Sequence, residues 1–144
     1  GVARGRELVA EIGFDKVLMD IEAAVAELQG ETKVGIVGFC WGGTVAYLGN
    51  TRLGLPAVSY YGGRTVPFLR ERLRAPMLFQ FGEHDPLIPP EDVAAHREAH
   101  PEATIYTYPA GHGFNCDQRA DYHAESSFAA MDRTIGFFTR HLRT

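Results

Sequence analysis

Cys40, Asp85 and His112 are the residues of this 144-residue chain whose types and settings suit covalent acyl chemistry. Cys40 lies in Gly38-Phe39-Cys40-Trp41-Gly42-Gly43, a G-x-C-x-G-G arrangement between an apolar, β-rich run and a helical one. That is the form of a nucleophile elbow with cysteine in place of serine. The turn is sharp, and Gly38 and Gly42 are expected to give it room. A sulfur at the start of the following helix meets the positive end of the helix dipole, which favours thiolate over thiol. The backbone N–H of Trp41 points to the same spot and can bind a developing oxyanion. The plain alternative for Cys40 is a small buried apolar residue beside a tight turn. The paired glycines, the strand before and the helix after favour the nucleophile.

A cysteine nucleophile needs a base, and the base needs an orienting acid. Six histidines compete. His96, His100 and His141 fall within or at the ends of expected helices, where a solvated role is the simpler one. His84 precedes Asp85 and shapes its turn. His123 opens the last helix and is the second choice. His112 is preferred because Gly111 and Gly113 flank it in the loop after the last strand. Asp85 leads Asp117 and Asp121 for the acid, since those two lie in the same long loop as His112. The alternative for Asp85 is a turn or cap residue, supported by Pro86.

These side chains must be positioned by a sheet. Residues 14–29 carry Phe14, Val17, Leu18, Ile21, Val25 and Leu28 at helical spacing, and Gly30 stops the run. Lys33–Phe39 is short and nearly all apolar, as a strand buried on both faces would be. A helix follows, ending near Gly49-Asn50. Strands are expected at Leu55–Tyr61, Ala75–Phe81 and Thr104–Tyr108. Pro89-Pro90-Glu91-Asp92 has the form of a helix start. Ala124, Phe128, Met131, Ile135, Phe138 and Leu142 form the apolar stripe of a last amphipathic helix. The alternation predicts an α/β fold: four mainly parallel strands with helices on both faces, forming a single domain over residues 1–144. Ligands of such sheets bind beyond the carboxyl ends of the strands. Cys40, Asp85 and His112 all leave strands at that edge.

Composition narrows the classes. Hydrophobic residues make up 45% and charged residues 22%, which is ordinary for a soluble globular protein. The net charge of −4 and the absence of a dense Lys/Arg cluster argue against nucleic acid as a partner. No apolar run approaches a membrane span. Two cysteines make no disulfide framework, so a cytoplasmic protein with reduced thiols is expected. That acyl chemistry requires no metal or organic cofactor, and His112, Cys116 and His123, a rival zinc reading, fit no common zinc spacing.

The motifs GFCWGG, Tyr60-Tyr61-Gly62-Gly63, GEHDPLIP and GHGF, in that order, resemble the dienelactone hydrolase family, an α/β-hydrolase family. The resemblance runs from about Lys33 to the C-terminus. It implies hydrolysis of a small lactone or ester through Cys40, His112 and Asp85, with Trp41 in the oxyanion hole. Tyr60, Tyr61 and Phe114 are then candidates for lining the substrate site, with core packing an equally good account of them. Another carboxylesterase or thioesterase on the same triad, or a catalytically silent binding module, are the competing functions. The family has several strands before the elbow, and here one helix precedes it. The family's preceding part would supply a second oxyanion-hole donor, an acidic residue and an arginine. The founding type has an arginine four residues after the histidine, where this chain has Cys116. The strand at 33–39 is apolar on both faces and is not built as an exposed edge. A preceding segment or a second subunit is therefore expected to pair with it.

Overall fold

The computed structural model describes residues 1–30 and 32–143. The first helix, α1, runs over Val2–Leu28 and is broken at Gly13, whose φ of 67 and ψ of 172 are not helical. The part after the break matches the expected helix. Leu18 is buried, and Phe14, Val17, Ile21 and Val25 are half-buried. Phe14 stacks on Trp41 with centroids 5.7 Å apart and meets Phe68 edge-on.

Four strands follow: β1 (Ile36–Phe39), β2 (Ala57–Tyr60), β3 (Met77–Gly82) and β4 (Thr104–Tyr108). They pair in parallel in the order β1-β2-β3-β4. The expected strands are all present, the first three starting two or three residues later than their apolar runs. The connections are α2 (Trp41–Leu53), a single 3-10 turn at Val66–Phe68, and α3 (Pro90–Ala99). The last helix, α4, spans Ala124–His141. Helix α2 runs past the expected stop at Gly49-Asn50. It ends at Gly54, whose φ of 71 places it in the left-handed region that favours glycine.

The two faces of the sheet are packed by different chemistry. On one, Tyr47 of α2 packs against Phe79, and Phe79 and Phe81 each meet the His96 ring at 5.0 Å. On the other, Gln80 donates through Nε2 to the Ala130 carbonyl at 3.0 Å and to Thr134 Oγ1 at 2.8 Å. Tyr60 Oη pairs with Thr134 Oγ1 at 2.6 Å, and Tyr108 donates to Gln80 Oε1. Arg133 lies 3.8 Å over the Tyr106 ring and donates to Tyr108 Oη.

That network corrects the expected face of α4. Its inward residues are Ser126, Ala130, Thr134 and Phe137. Phe128, Met131 and Ile135 of the apolar stripe are instead 79%, 40% and 60% exposed. The hydrogen bonds from Tyr60 and Gln80 select the face that carries Thr134. The small Ala130 lets the helix approach the sheet.

His96 and His100 also differ from expectation. Both are buried rather than solvated. His96 is held between Thr65 and the Asp92 carbonyl, and His100 Nε2 lies 2.8 Å from Tyr47 Oη. Burial pushes both imidazoles below the ordinary histidine range, towards the neutral form. Strand β1 lies at an edge of the described sheet, with Val37 43% and Phe39 41% exposed.

Thr134→Val keeps the shape of the side chain but strands the Tyr60 hydroxyl and takes from the Gln80 amide one of its two acceptors, leaving the Ala130 carbonyl. The expected loss is about 1–3 kcal/mol of folding stability, read by urea denaturation, with Thr134→Ser much closer to wild type. Equal stability of the valine variant would show that the network does not anchor α4.

Candidate active site

The registers bring the strand ends level: Phe39 faces Tyr60, Tyr60 faces Gln80, and Gly82 faces Tyr108. The residues that follow therefore emerge along one rim. The elbow at that rim is enforced by crowding. A Cβ on Gly38 would lie 1.8 Å from the Gly42 carbonyl oxygen, and one on Gly43 would lie 2.6 Å from the Tyr60 carbonyl oxygen. Only a missing side chain lets β1, the turn and the end of β2 come so close. Gly42, the expected second spacer, has open space around its Cβ position, and Gly43 fills that role. Cys40 itself takes φ 55 and ψ −120, a strained conformation worth on the order of 1–3 kcal/mol. It caps the start of α2, with its N–H donating to the Tyr60 carbonyl at 3.0 Å.

A second close approach joins the ends of β3 and β4. A Cβ on Gly82 would lie 2.3 Å from the Ala110 carbonyl oxygen, and His84 N–H donates to that same oxygen at 3.0 Å. The turn carrying Asp85 and the loop carrying His112 are thus tied together. Asp85 is buried. Its Oδ1 accepts from the Leu87 N–H at 2.8 Å, and its Oδ2 lies 2.7 Å from His112 Nδ1. Across the ring, His112 Nε2 lies 3.1 Å from Cys40 Sγ. A sulfur, an imidazole and a carboxylate that are 72 and 27 residues apart in sequence form one hydrogen-bonded chain.

The electrostatics follow from this contact. Hydrogen bonding to His112 is the main influence lowering the Cys40 thiol below its ordinary range. Burial opposes it, while the His112 charge, the Trp41 backbone N–H and Arg119 add to it. His112 is raised to about 9, first by Asp85 and then by Cys40, against the opposing effect of burial. The arrangement favours thiolate and imidazolium together. The depressed thiol contributes stability at high pH that is lost as pH falls through its folded value. The raised imidazole contributes stability at low pH that is lost as pH rises through about 9. The ion pair is therefore complete only in the window between the two.

The other expected site residues separate. The Trp41 N–H is directed at the sulfur, whereas its indole is committed to Phe14. Tyr61 is buried with φ 39, and its ring lies 5.2 Å from the His112 ring. Burial pushes its hydroxyl up to about 12, so it stays a neutral backing to the imidazole. Tyr60 and Phe114 are corrections, since both are fully buried. Tyr60 gives its hydroxyl to Thr134, and Phe114 packs among Tyr61, Tyr60 and Tyr108. Neither offers surface to a ligand. His123 accepts the Ser126 N–H through Nδ1 as the cap of α4, and Asp121 lies against Gly111. A hollow of about 440 Å³ lined by Arg72, Leu73, His100 and Glu102 lies before β3 and β4, at the opposite end of the strands from Cys40. Arg119, which no sequence motif singled out, packs against Gly113 beside His112.

Comparison with known proteins bears on the family and the fold. The model of the dienelactone hydrolase family matches residues 3–142. The chain belongs to the dienelactone hydrolase family. A Yersinia pestis protein provisionally named carboxymethylenebutenolidase is 36% identical over 93% of this chain and 58% of its own length. The carboxymethylenebutenolidase of Pseudomonas putida is 30% identical over 82% of this chain and 55% of its own. A crystal structure from Klebsiella pneumoniae subsp. pneumoniae, provisionally described as a dienelactone hydrolase, superposes with a TM-score of 0.82. It is 31% identical and covers 92% of this chain and 64% of the other. An esterase of Pyrococcus furiosus, 16% identical with a TM-score of 0.71, shares the fold. The α/β-hydrolase architecture is thus established, and the chain spans less than two thirds of each of these family members.

Iodoacetamide should label Cys40 faster than Cys116 near neutral pH, with a lowered apparent thiol pKa. His112→Ala should slow labelling at Cys40 by roughly tenfold or more, because an ordinary thiol is only a few per cent ionised there. Peptide mass spectrometry reads each cysteine separately. Unchanged labelling in His112→Ala would mean that the imidazole does not hold the thiolate.

Proposed function

We propose that this protein is a hydrolase that cleaves a small lactone or ester through Cys40, His112 and Asp85. The supporting observation is the continuous chain from Sγ to Nε2 at 3.1 Å and from Nδ1 to Oδ2 at 2.7 Å. The Cys40 thiolate attacks the substrate carbonyl, and the carbonyl oxygen becomes an oxyanion near the Trp41 N–H. The tetrahedral intermediate collapses, breaking the carbon–oxygen bond of the ester. The departing oxygen takes the proton held on His112 Nε2. His112, now neutral, takes a proton from water as it attacks the thioester, and the sulfur leaves as thiolate. Asp85 fixes the Nδ1–H tautomer and supports the imidazolium in both halves. The proposed acyl donor is an activated ester, an enol-lactone best of all, because its leaving enolate is resonance-stabilised.

The reading extends to the surroundings of the site. Both cysteines are free thiols, which suits a reducing, cytoplasmic setting. Among the described residues no helix is long and apolar enough to cross a membrane. The exposed Val37 and Phe39 support pairing of residues 33–39 with a further segment or a second subunit.

The test is a panel of lactones and esters with the full-length polypeptide. Cys40→Ala should abolish turnover, and Cys40→Ser should retain a small part of it. His112→Ala and Asp85→Asn should each lose on the order of 10³-fold or more in kcat, whereas His123→Ala should stay within a few-fold of wild type. Normal turnover by Cys40→Ala removes the proposal. Absence of turnover in wild type with every substrate would favour a silent binding module.

A further inference from the structure

The sulfur and imidazole have a neighbour that carries a full positive charge, Arg119. Arg119 stands seven residues after His112, in the loop between β4 and α4. This loop is folded back on itself. Cys116 N–H donates to the Gly113 carbonyl at 3.0 Å, Arg119 N–H to the Cys116 carbonyl at 3.0 Å, and Tyr122 N–H to the Arg119 carbonyl at 3.1 Å. The fold-back lays the Arg119 side chain on the backbone of Gly113. A Cβ built at Gly113 would be 2.8 Å from Arg119 Cδ, 3.0 Å from Nε and 3.2 Å from Cζ. Gly113 has φ of 80, so glycine there serves both the backbone and the room for this side chain. Among the described residues Arg119 makes no salt bridge, while Arg4 and Arg52 each do.

We propose that Arg119 is an electrostatic positioning residue: its guanidinium on Gly113 makes the surroundings of Cys40 positive and favours anions there. This rests on the assignment of Cys40 as nucleophile. Two anions arise on the proposed path, the thiolate and the tetrahedral oxyanion, and both lie within the same field. The charge also lowers the Cys40 thiol, less than the His112 contact and the Trp41 N–H do. The groups facing the sulfur are His112, backed by Asp85, the Trp41 N–H of α2, Tyr61 after β2, and Arg119 itself. Asp117 and Asp121 belong to the same loop, and Asp121 lies against Gly111. Arg119 is exposed, so its effect is that of a screened charge, a few-fold in rate rather than orders of magnitude.

The readout is the ratio of Cys40 alkylation by iodoacetate, an anion, to that by neutral iodoacetamide, measured on the Cys40 peptide by mass spectrometry. The two reagents differ in charge and report the local potential without requiring turnover. Arg119→Ala should lower the ratio roughly two- to five-fold at low salt. Arg119→Lys should keep most of it, and Arg119→Glu should lower it further than alanine. In wild type the ratio should fall as salt is raised towards 1 M, where the screening length is about 3 Å. The salt titration reads the summed charge of His112 and Arg119, and Arg119→Lys against Arg119→Glu keeps the comparison if Arg119→Ala fails to fold. A ratio that ignores the Arg119 substitutions, at a Cys40 that still labels faster than Cys116, overturns this role for Arg119 alone. A Cys40 that labels no faster than Cys116 overturns the nucleophile assignment and this inference with it.

Discussion

Everything at the rim depends on backbone passing backbone without side chains between. Gly38 lies under the Gly42 carbonyl, Gly43 lies against the end of β2, and Gly82 lies against the Ala110 carbonyl. The first two contacts aim Cys40 outward in a left-handed conformation that a cysteine adopts only under constraint. The third draws the Asp85 turn to the His112 loop. Hydrogen bonds of 2.7 and 3.1 Å between the three side chains are consequences of those close approaches. A methyl group at Gly38 would push β1 from the first turn of α2, and one at Gly82 would push the end of β3 from the loop after β4, because the atoms met are main chain and cannot rotate away.

The rim is also held from below. On the α2 face, Tyr47, Phe79, Phe81 and His96 form an aromatic layer. On the α4 face, the Tyr60, Gln80, Thr134 and Tyr108 side chains form a hydrogen-bonded layer that admits few alternative arrangements. Tyr60 and Gln80 belong to the same strand ends that define the rim. Tyr60 directly precedes Tyr61, whose ring backs His112. Fixing one end of β2 on α4 therefore fixes the surface against which the imidazole rests. Helix α1 adds its own support through Phe14 on Trp41, the first residue of the helix that begins at the sulfur.

Much of this was legible in the residue order. Short apolar runs alternating with helical ones gave the parallel sheet, and the glycine-flanked Cys40 and His112 marked the loops that meet. What escaped was side-chain partnership across the fold. Periodicity shows that α4 has an apolar stripe. It does not show that Thr134 will be drawn inward by Gln80 and Tyr60, leaving Phe128 and Ile135 outside. His96 and His100 looked solvated because histidine on a helix usually is, yet Thr65 and Tyr47 supply partners from distant segments. Arg119 carries no motif, since its place is set by a loop that folds back onto Gly113. Tyr60 and Phe114 stood beside site residues in sequence, but strand alternation and loop packing turn them into the interior.

The thiolate–imidazolium pairing restricts the chemistry available to the site. Stabilising a thiolate raises its population at neutral pH but lowers its intrinsic nucleophilicity, with a Brønsted slope of about 0.4–0.5. It also makes the sulfur a better leaving group. In the tetrahedral intermediate of the proposed reaction the sulfur competes with the substrate oxygen for departure, and a simple alkoxide loses that contest unless it is protonated as it leaves. The proton needed is the one on His112, whose value of about 9 leaves it available at neutral pH. Each step that strengthens the ion pair therefore supplies more thiolate while binding that proton more tightly. Under the proposed mechanism, acyl donors whose departing oxygen is already stabilised as an anion demand the least from His112.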